Sequence, residues 1–177
     1  MSEIKKFHIV LIKPSHYDDD GYVIQWVRST IPSNSLASVY GLAKQCADGR
    51  ALGDDVDIEI EAFDETNTVI PVKRLIRALK RADGGFVGLI GVQSNQFPRA
   101  VDLARRFRAA DIPVVIGGFH VSGCLSMLPE LPDDIRRAQE MGCALYAGES
   151  EGRLVELLRD VHRGELKPVY NYLADMP

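Results

Sequence analysis

Short runs of unbroken apolar residues alternate along the chain with stretches in which apolar residues recur every three or four positions. The runs are Lys6-Phe7-His8-Ile9-Val10-Leu11-Ile12-Lys13, Phe86-Val87-Gly88-Leu89-Ile90-Gly91, Pro113-Val114-Val115-Ile116 and Ala144-Leu145-Tyr146-Ala147. Strands without polar alternation belong in a parallel sheet covered by helices on both faces. Val56 to Phe63 differs, because Asp57, Glu59 and Glu61 alternate with apolar residues. That pattern predicts a strand exposed on one face, near a sheet edge. Helical spacing marks Leu36, Val39, Tyr40 and Ala43, with Ser35 or Asn34 as N-cap, then Val72, Leu75, Ile76 and Leu79. It returns at Ala100, Leu103, Ala104 and Phe107, from about Pro132 to Met141, and at Leu154, Leu157, Leu158 and Val161, where Gly164 closes the helix.

Five such units predict an α/β fold, a flavodoxin-like (Rossmann-like) doubly wound parallel sheet of five strands in the order 2-1-3-4-5. Residues 1–164 form this domain, and residues 165–177 read as a linker or the start of an absent domain. Right-handed crossovers place the loops after the strands on one rim, where open parallel sheets bind their ligands. The loop from Ser15 to Ser35 is long and holds Tyr17, Tyr22, Trp26, Arg28 and Pro32 beside the acidic Asp18, Asp19 and Asp20. Its aromatic residues suit wrapping onto a ligand or partner. His8, inside the first strand, reads as a core or edge histidine.

Composition narrows the chemistry. The 177 residues are 46% hydrophobic and 26% charged, with a net charge of −4, values of a globular domain with no general affinity for nucleic acid or anionic membranes. No apolar run approaches the ~20 residues that span a bilayer, and the first residues carry no signal-peptide core, so a cytoplasmic location is expected. Cys46, Cys124 and Cys143 stand at unrelated spacings and form neither a metal motif nor a disulfide framework. The cationic side of the second helix, Lys73, Arg74, Arg77, Lys80 and Arg81, reads as a solvated face.

The rim loops carry the candidate chemistry. Gly117 and Gly118 follow a buried strand and permit a close backbone approach, by a ligand or simply in a turn. Ser94, Asn95 and Gln96 are uncharged donors and acceptors at a strand end, suited to an amide-bearing or heterocyclic ligand rather than a polyphosphate. Neither GxGxxG nor GxxxxGK[ST] occurs, which argues against NAD or ATP. Glu149 and Glu151 flank Ser150 ahead of a helix, where acids serve either the dipole or a ligand. His120 reads as a hydrogen-bonded loop histidine, and a hydrolase using it with Glu149 requires the two to meet in a pocket.

Taken together, these loops resemble a known family. Val115-Ile116-Gly117-Gly118-Phe119-His120-Val121-Ser122 and Ala147-Gly148-Glu149-Ser150-Glu151-Gly152 are similar to the GGxHxS/T and GExE signatures of the N-terminal cobalamin-binding domain of radical S-adenosylmethionine enzymes. Pro32 to Ala43 resembles that family's entry to the first helix, and Gly91 to Phe97 its loop after strand 3. The resemblance runs from about Phe7 to Gly164.

It implies a corrinoid over the strand ends with its nucleotide tail inserted along the sheet. Ser94 and Gln96 would line the tail channel, Gly117 and Gly118 would admit the tail, and Gly148, Glu149 and Glu151 would border its far side. His120 belongs to the same signature and joins this cofactor-binding set. Related methyltransferases and mutases carry DxHxxG after strand 2, whose histidine is the lower cobalt ligand. Here Asp64-Glu65-Thr66-Asn67-Thr68-Val69 puts Thr66 at that position, so binding would be base-off without a histidine ligand. The CxxxCxxC that holds a [4Fe-4S] cluster is missing. The cluster and S-adenosylmethionine would then belong to a radical domain in cis or trans, expected after Pro177, acting in methyl transfer or another radical reaction. The alternative is a cofactor-free flavodoxin-like sensor or interaction domain.

Overall fold

The unbroken apolar runs form the middle of one parallel sheet. In a computed structural model describing residues 4–26 and 33–175, β1 (Lys5–Lys13), β3 (Gly84–Leu89), β4 (Val114–Gly117) and β5 (Ala144–Ala147) lie inside the sheet, and β2 (Val56–Asp64) and β6 (Val169–Asn171) form its edges. The order is β2-β1-β3-β4-β5-β6, with every neighbouring pair parallel. Phe7 to Ile12 are all buried, as expected of a strand flanked and covered on both sides. In β2 the acidic positions Asp57 and Glu59 face solvent, as its alternation predicted. The buried His8 stands 3.1 Å from Glu61 Oε1 on the neighbouring strand.

The two faces are covered unequally. On one, α2 (Val72–Arg81), α3 (Phe97–Arg108), α4 (Phe119–Met127) and α5 (Asp133–Glu140) pack Leu75, Leu103, Phe107 and Ile135 against Val10, Val87, Val114 and Leu145. Each such side chain contributes about 1.5–3 kcal/mol by leaving water. On the other face only α1 (Asn34–Asp48) and α6 (Leu154–Arg163) cover Leu11, Phe86 and Val115. Of α1 only Ala43 is fully buried, while Leu36 and Val39 are half-buried and Tyr40 is exposed. The helix stands off the sheet at its N-terminal half.

Three expectations are corrected. The sheet has six strands rather than five, because the segment read as a linker from 165 supplies β6. Tyr170 is 2% exposed, and its hydroxyl donates to Asp160 Oδ2 at 2.9 Å, so an anchor to α6 holds a strand too short to show periodicity. The segment after Gly118 is a helix, α4, rather than the loop in which His120 was expected. Its Gly123, Ser122 and Ser126 have weak helix propensity and hide it. The N-cap of α1 is Ser33, whose hydroxyl accepts from Leu36 N at 3.2 Å, not Asn34 or Ser35.

The long loop after β1 folds back on the protein. Tyr17 pairs with Val23, and Asp18 Oδ1 accepts from the backbone of Asp20 and Tyr22 at 3.1 and 2.8 Å, so the acidic run builds a turn. Tyr22 and Trp26 remain exposed, whereas Arg28 and Pro32 lie outside the described residues. No helix among the described residues is long and apolar enough to cross a membrane.

Candidate functional site

Where α1 stands off the sheet, a cavity of about 740 Å³ opens at the carboxyl ends of β3 and β4, within the ~300–1,000 Å³ of small-molecule sites. Its floor is Leu11, Phe86, Gly88, Val115 and Gly117 from three adjacent strands. Asn34, Ser35, Ser38, Val39 and Leu42 of α1 form one wall, and Leu154 and Leu157 of α6 another. Phe119, Ser122, Gly123, Ser126 and Met127, spaced to share one face of α4, line it from the rim.

Polarity changes with depth. A residue earlier in a strand lies farther from the rim, and α1 runs away from the rim as it proceeds. The deeper lining is therefore Phe86, Leu11, Val115, Leu42 and Leu157, whereas Asn34, Ser35, Gln93, Ser122 and the segment Gly148–Glu151 lie near the mouth. Gly88 is part of the shape, because a Cβ there would come within 3.1 Å of Ile90 Cδ1 and 3.2 Å of Leu11 Cδ2. Tyr146 marks the transition, its hydroxyl donating to the Glu149 carbonyl at 3.3 Å. Burial pushes the Tyr146 phenol up to about 12 against a hydrogen bond with Ser150, so it remains a neutral donor.

Of the residues singled out in the sequence, Gly117, Gly118, Gly148, Glu149 and Glu151 surround this cavity. The other four do not line it. Gln96 is buried, with its Oε1 accepting from Gln93 N at 3.0 Å. Ser94 and His120 bind each other, Oγ to Nδ1 at 3.1 Å, and His120 Nε2 stands 3.3 Å from Asp134 Oδ2. In the neutral ring Nε2–H donates to the carboxylate and Nδ1 accepts from the Ser94 hydroxyl. This row ties the β3 loop to α5, and His120 does not meet Glu149, as the hydrolase reading required. Thr66 is tied down at the end of β2, its hydroxyl donating to Asp64 Oδ1 at 2.6 Å and its carbonyl accepting from Trp26 N at 2.7 Å.

Beside Thr66, Glu65 is 1% exposed and accepts from Arg99 Nη2 at 2.6 Å, from Arg99 Nε at 3.1 Å and from Ser15 N at 3.0 Å. Arg99 Nη1 also donates to the Tyr17 hydroxyl at 3.3 Å, and that hydroxyl donates to Asp102 at 2.7 Å. Burial works against the Arg99 charge, but the bonds to Glu65 and Tyr17 outweigh it and hold the guanidinium above its ordinary range. The network fixes the β1 and β2 loops to α3.

The candidate site residues included neither the α1 wall nor the lining face of α4, although the resemblance took in Pro32 to Ala43 and reached Ser122. The signal was present in small residues, Ser35 and Ser38 in α1 and Ser122, Gly123 and Ser126 in α4, at helical positions where a packed core requires bulk. Among the described residues no group of three His, Cys, Asp or Glu side chains is placed to hold a metal ion.

Fold and site define an α/β domain of flavodoxin-like kind, with a deep cleft where α1 stands off one face of the sheet. No model of a known protein family matches the chain, and no curated protein does.

Proposed function

We propose that the chain is a cobalamin-binding module, holding a corrinoid base-off and without a histidine lower ligand for a radical S-adenosylmethionine domain in cis or trans. The observation that carries this reading is the cleft, apolar within, polar at the mouth and bordered by Gly117, Gly118, Gly148, Glu149 and Glu151. A corrinoid with its nucleotide tail extended has the same polarity, with an aromatic base at the end and phosphate, ribose and ring amides nearer the ring. Gly88 and Gly117 add no side chain of their own to the floor of the cleft. Leu42 and Leu157 exclude water from it, and the Ser35, Ser38 and Ser122 hydroxyls stand where polar parts of the tail need partners.

A bound corrinoid supplies the organometallic step, methyl transfer or another radical reaction, while this chain binds and orients it. The same reading places the protein in the cytoplasm. Titration of the purified chain with hydroxocobalamin, followed by visible absorption, tests it. Saturable binding with a shift to a base-off spectrum is expected, and a folded chain that does not bind overturns the proposal.

A further inference from the structure

We infer that the cleft selects corrinoids by their lower base, accepting a dimethylbenzimidazole and discriminating against adenine. This rests on the corrinoid reading above. The inner half is lined by Leu11, Leu42, Phe86, Val115 and Leu157, none of which can donate or accept a hydrogen bond. The main chain of its floor is no substitute, because Leu11 pairs with Gly88 and Gly88 with Val115 in the interior of the sheet. Of the hydroxyls that line the cleft, that of Tyr146 already donates to the Glu149 carbonyl, and that of Ser38 lies a helical turn before Leu42, on the mouth side of it.

A dimethylbenzimidazole released from cobalt brings one free ring nitrogen and an edge of two methyl groups. Adenine in its place adds two ring acceptors and an exocyclic amino group. Each loses water on entry, and the inner lining offers no replacement partner. The methyl groups, by contrast, gain apolar contacts with Leu42 and Leu157.

The test is a comparison of dissociation constants for cobalamin, adeninyl cobamide and tail-free cobinamide on the same protein. Cobalamin is expected to bind about tenfold or more tightly than adeninyl cobamide. A Leu157→Gln variant, which adds an amide to the inner half, is expected to narrow that gap. Equal affinity for the two complete corrinoids overturns the inference and leaves the corrinoid reading standing. Cobinamide binding as tightly as cobalamin also overturns it, since the base would then contribute nothing. Failure of all three to bind folded protein overturns the underlying reading and the selectivity with it.

Discussion

Gly118 lies so close to Val92 that a Cβ on the glycine would stand 2.2 Å from Val92 N and 2.8 Å from Val92 O. Val92 N donates to the Gly117 carbonyl at 3.1 Å, and His120 N donates to the Val92 carbonyl at 3.0 Å, zipping the two rim loops together. Gly118 also has φ +138°, which side-chain-bearing residues rarely adopt. The glycine is thus required by the fold, whatever the ligand. Gly118→Val is expected to destabilise the protein by about 2–4 kcal/mol, read from urea unfolding. Unchanged stability would show that the loops do not meet as described.

Gly123 provides the contrasting test. It also lines the cavity, but a Cβ there has nothing within 4 Å, and the residue lies inside α4, where glycine costs about 0.5–1 kcal/mol relative to alanine. Gly123→Phe is expected to keep the thermal midpoint at or above that of the parent while weakening corrinoid binding about tenfold or more, by occupying the mouth. Unaltered affinity in that variant places the ligand elsewhere.

These two glycines show how far the sequence could be read. The unbroken apolar runs of β1, β3 and β4 announced a covered parallel sheet, and the acidic alternation of β2 announced its edge, because periodicity reports burial directly. β6 could not be read, since Tyr170 owes its place to Asp160 in another element. The pair Gly117-Gly118 borders the cavity, but sequence cannot separate a glycine that admits a ligand from one pressed against Val92. The standing-off of α1 depends on what the helix fails to touch. Its small residues Ser35 and Ser38 hinted at that without locating the cavity.

The Glu65–Arg99 pair predicts a large stability effect away from the cavity. Both side chains are withdrawn from water, and Glu65 also accepts from Ser15 N. Removing one partner leaves the other charge buried, so Arg99→Met is expected to cost about 3–5 kcal/mol in chemical denaturation. It should also free the β1 loop, read as faster amide exchange at Ser15 and Tyr17. The double variant Arg99→Met with Glu65→Leu is expected to recover part of the loss, since no uncompensated charge remains.

Alkaline pH should unfold the protein through its tyrosines. Burial pushes the Tyr146 and Tyr170 phenols up to about 12, from an ordinary value near 10. In the unfolded chain both release protons at about pH 10 while the folded protein retains them. Stability is therefore fully present below pH 10 and falls as pH rises towards 12. Urea midpoints measured across that range should decline, and Tyr170→Phe should flatten the decline while lowering the midpoint at neutral pH, because the bond to Asp160 is lost. An unchanged alkaline slope would refute Tyr170 as a contributor.

The resemblance puts Thr66 at the position that carries the lower cobalt ligand in related proteins. Its hydroxyl is committed to Asp64 Oδ1 at 2.6 Å, and the same carboxylate oxygen accepts from Thr66 N at 3.0 Å. A histidine at this position would find that carboxylate already in place to hold one ring nitrogen, as carboxylates commonly do for metal-bound histidines, leaving the other directed outward. Thr66→His is therefore expected to move the visible spectrum of bound methylcobalamin from base-off towards the histidine-ligated form, whereas Thr66→Ala leaves it base-off. The shift should vanish as pH falls below the ordinary imidazole value near 6.5, where protonation removes the donor pair. If both variants bind the corrinoid and their spectra coincide at neutral pH, residue 66 does not lie beneath the cobalt, and the ring sits over a different part of the rim.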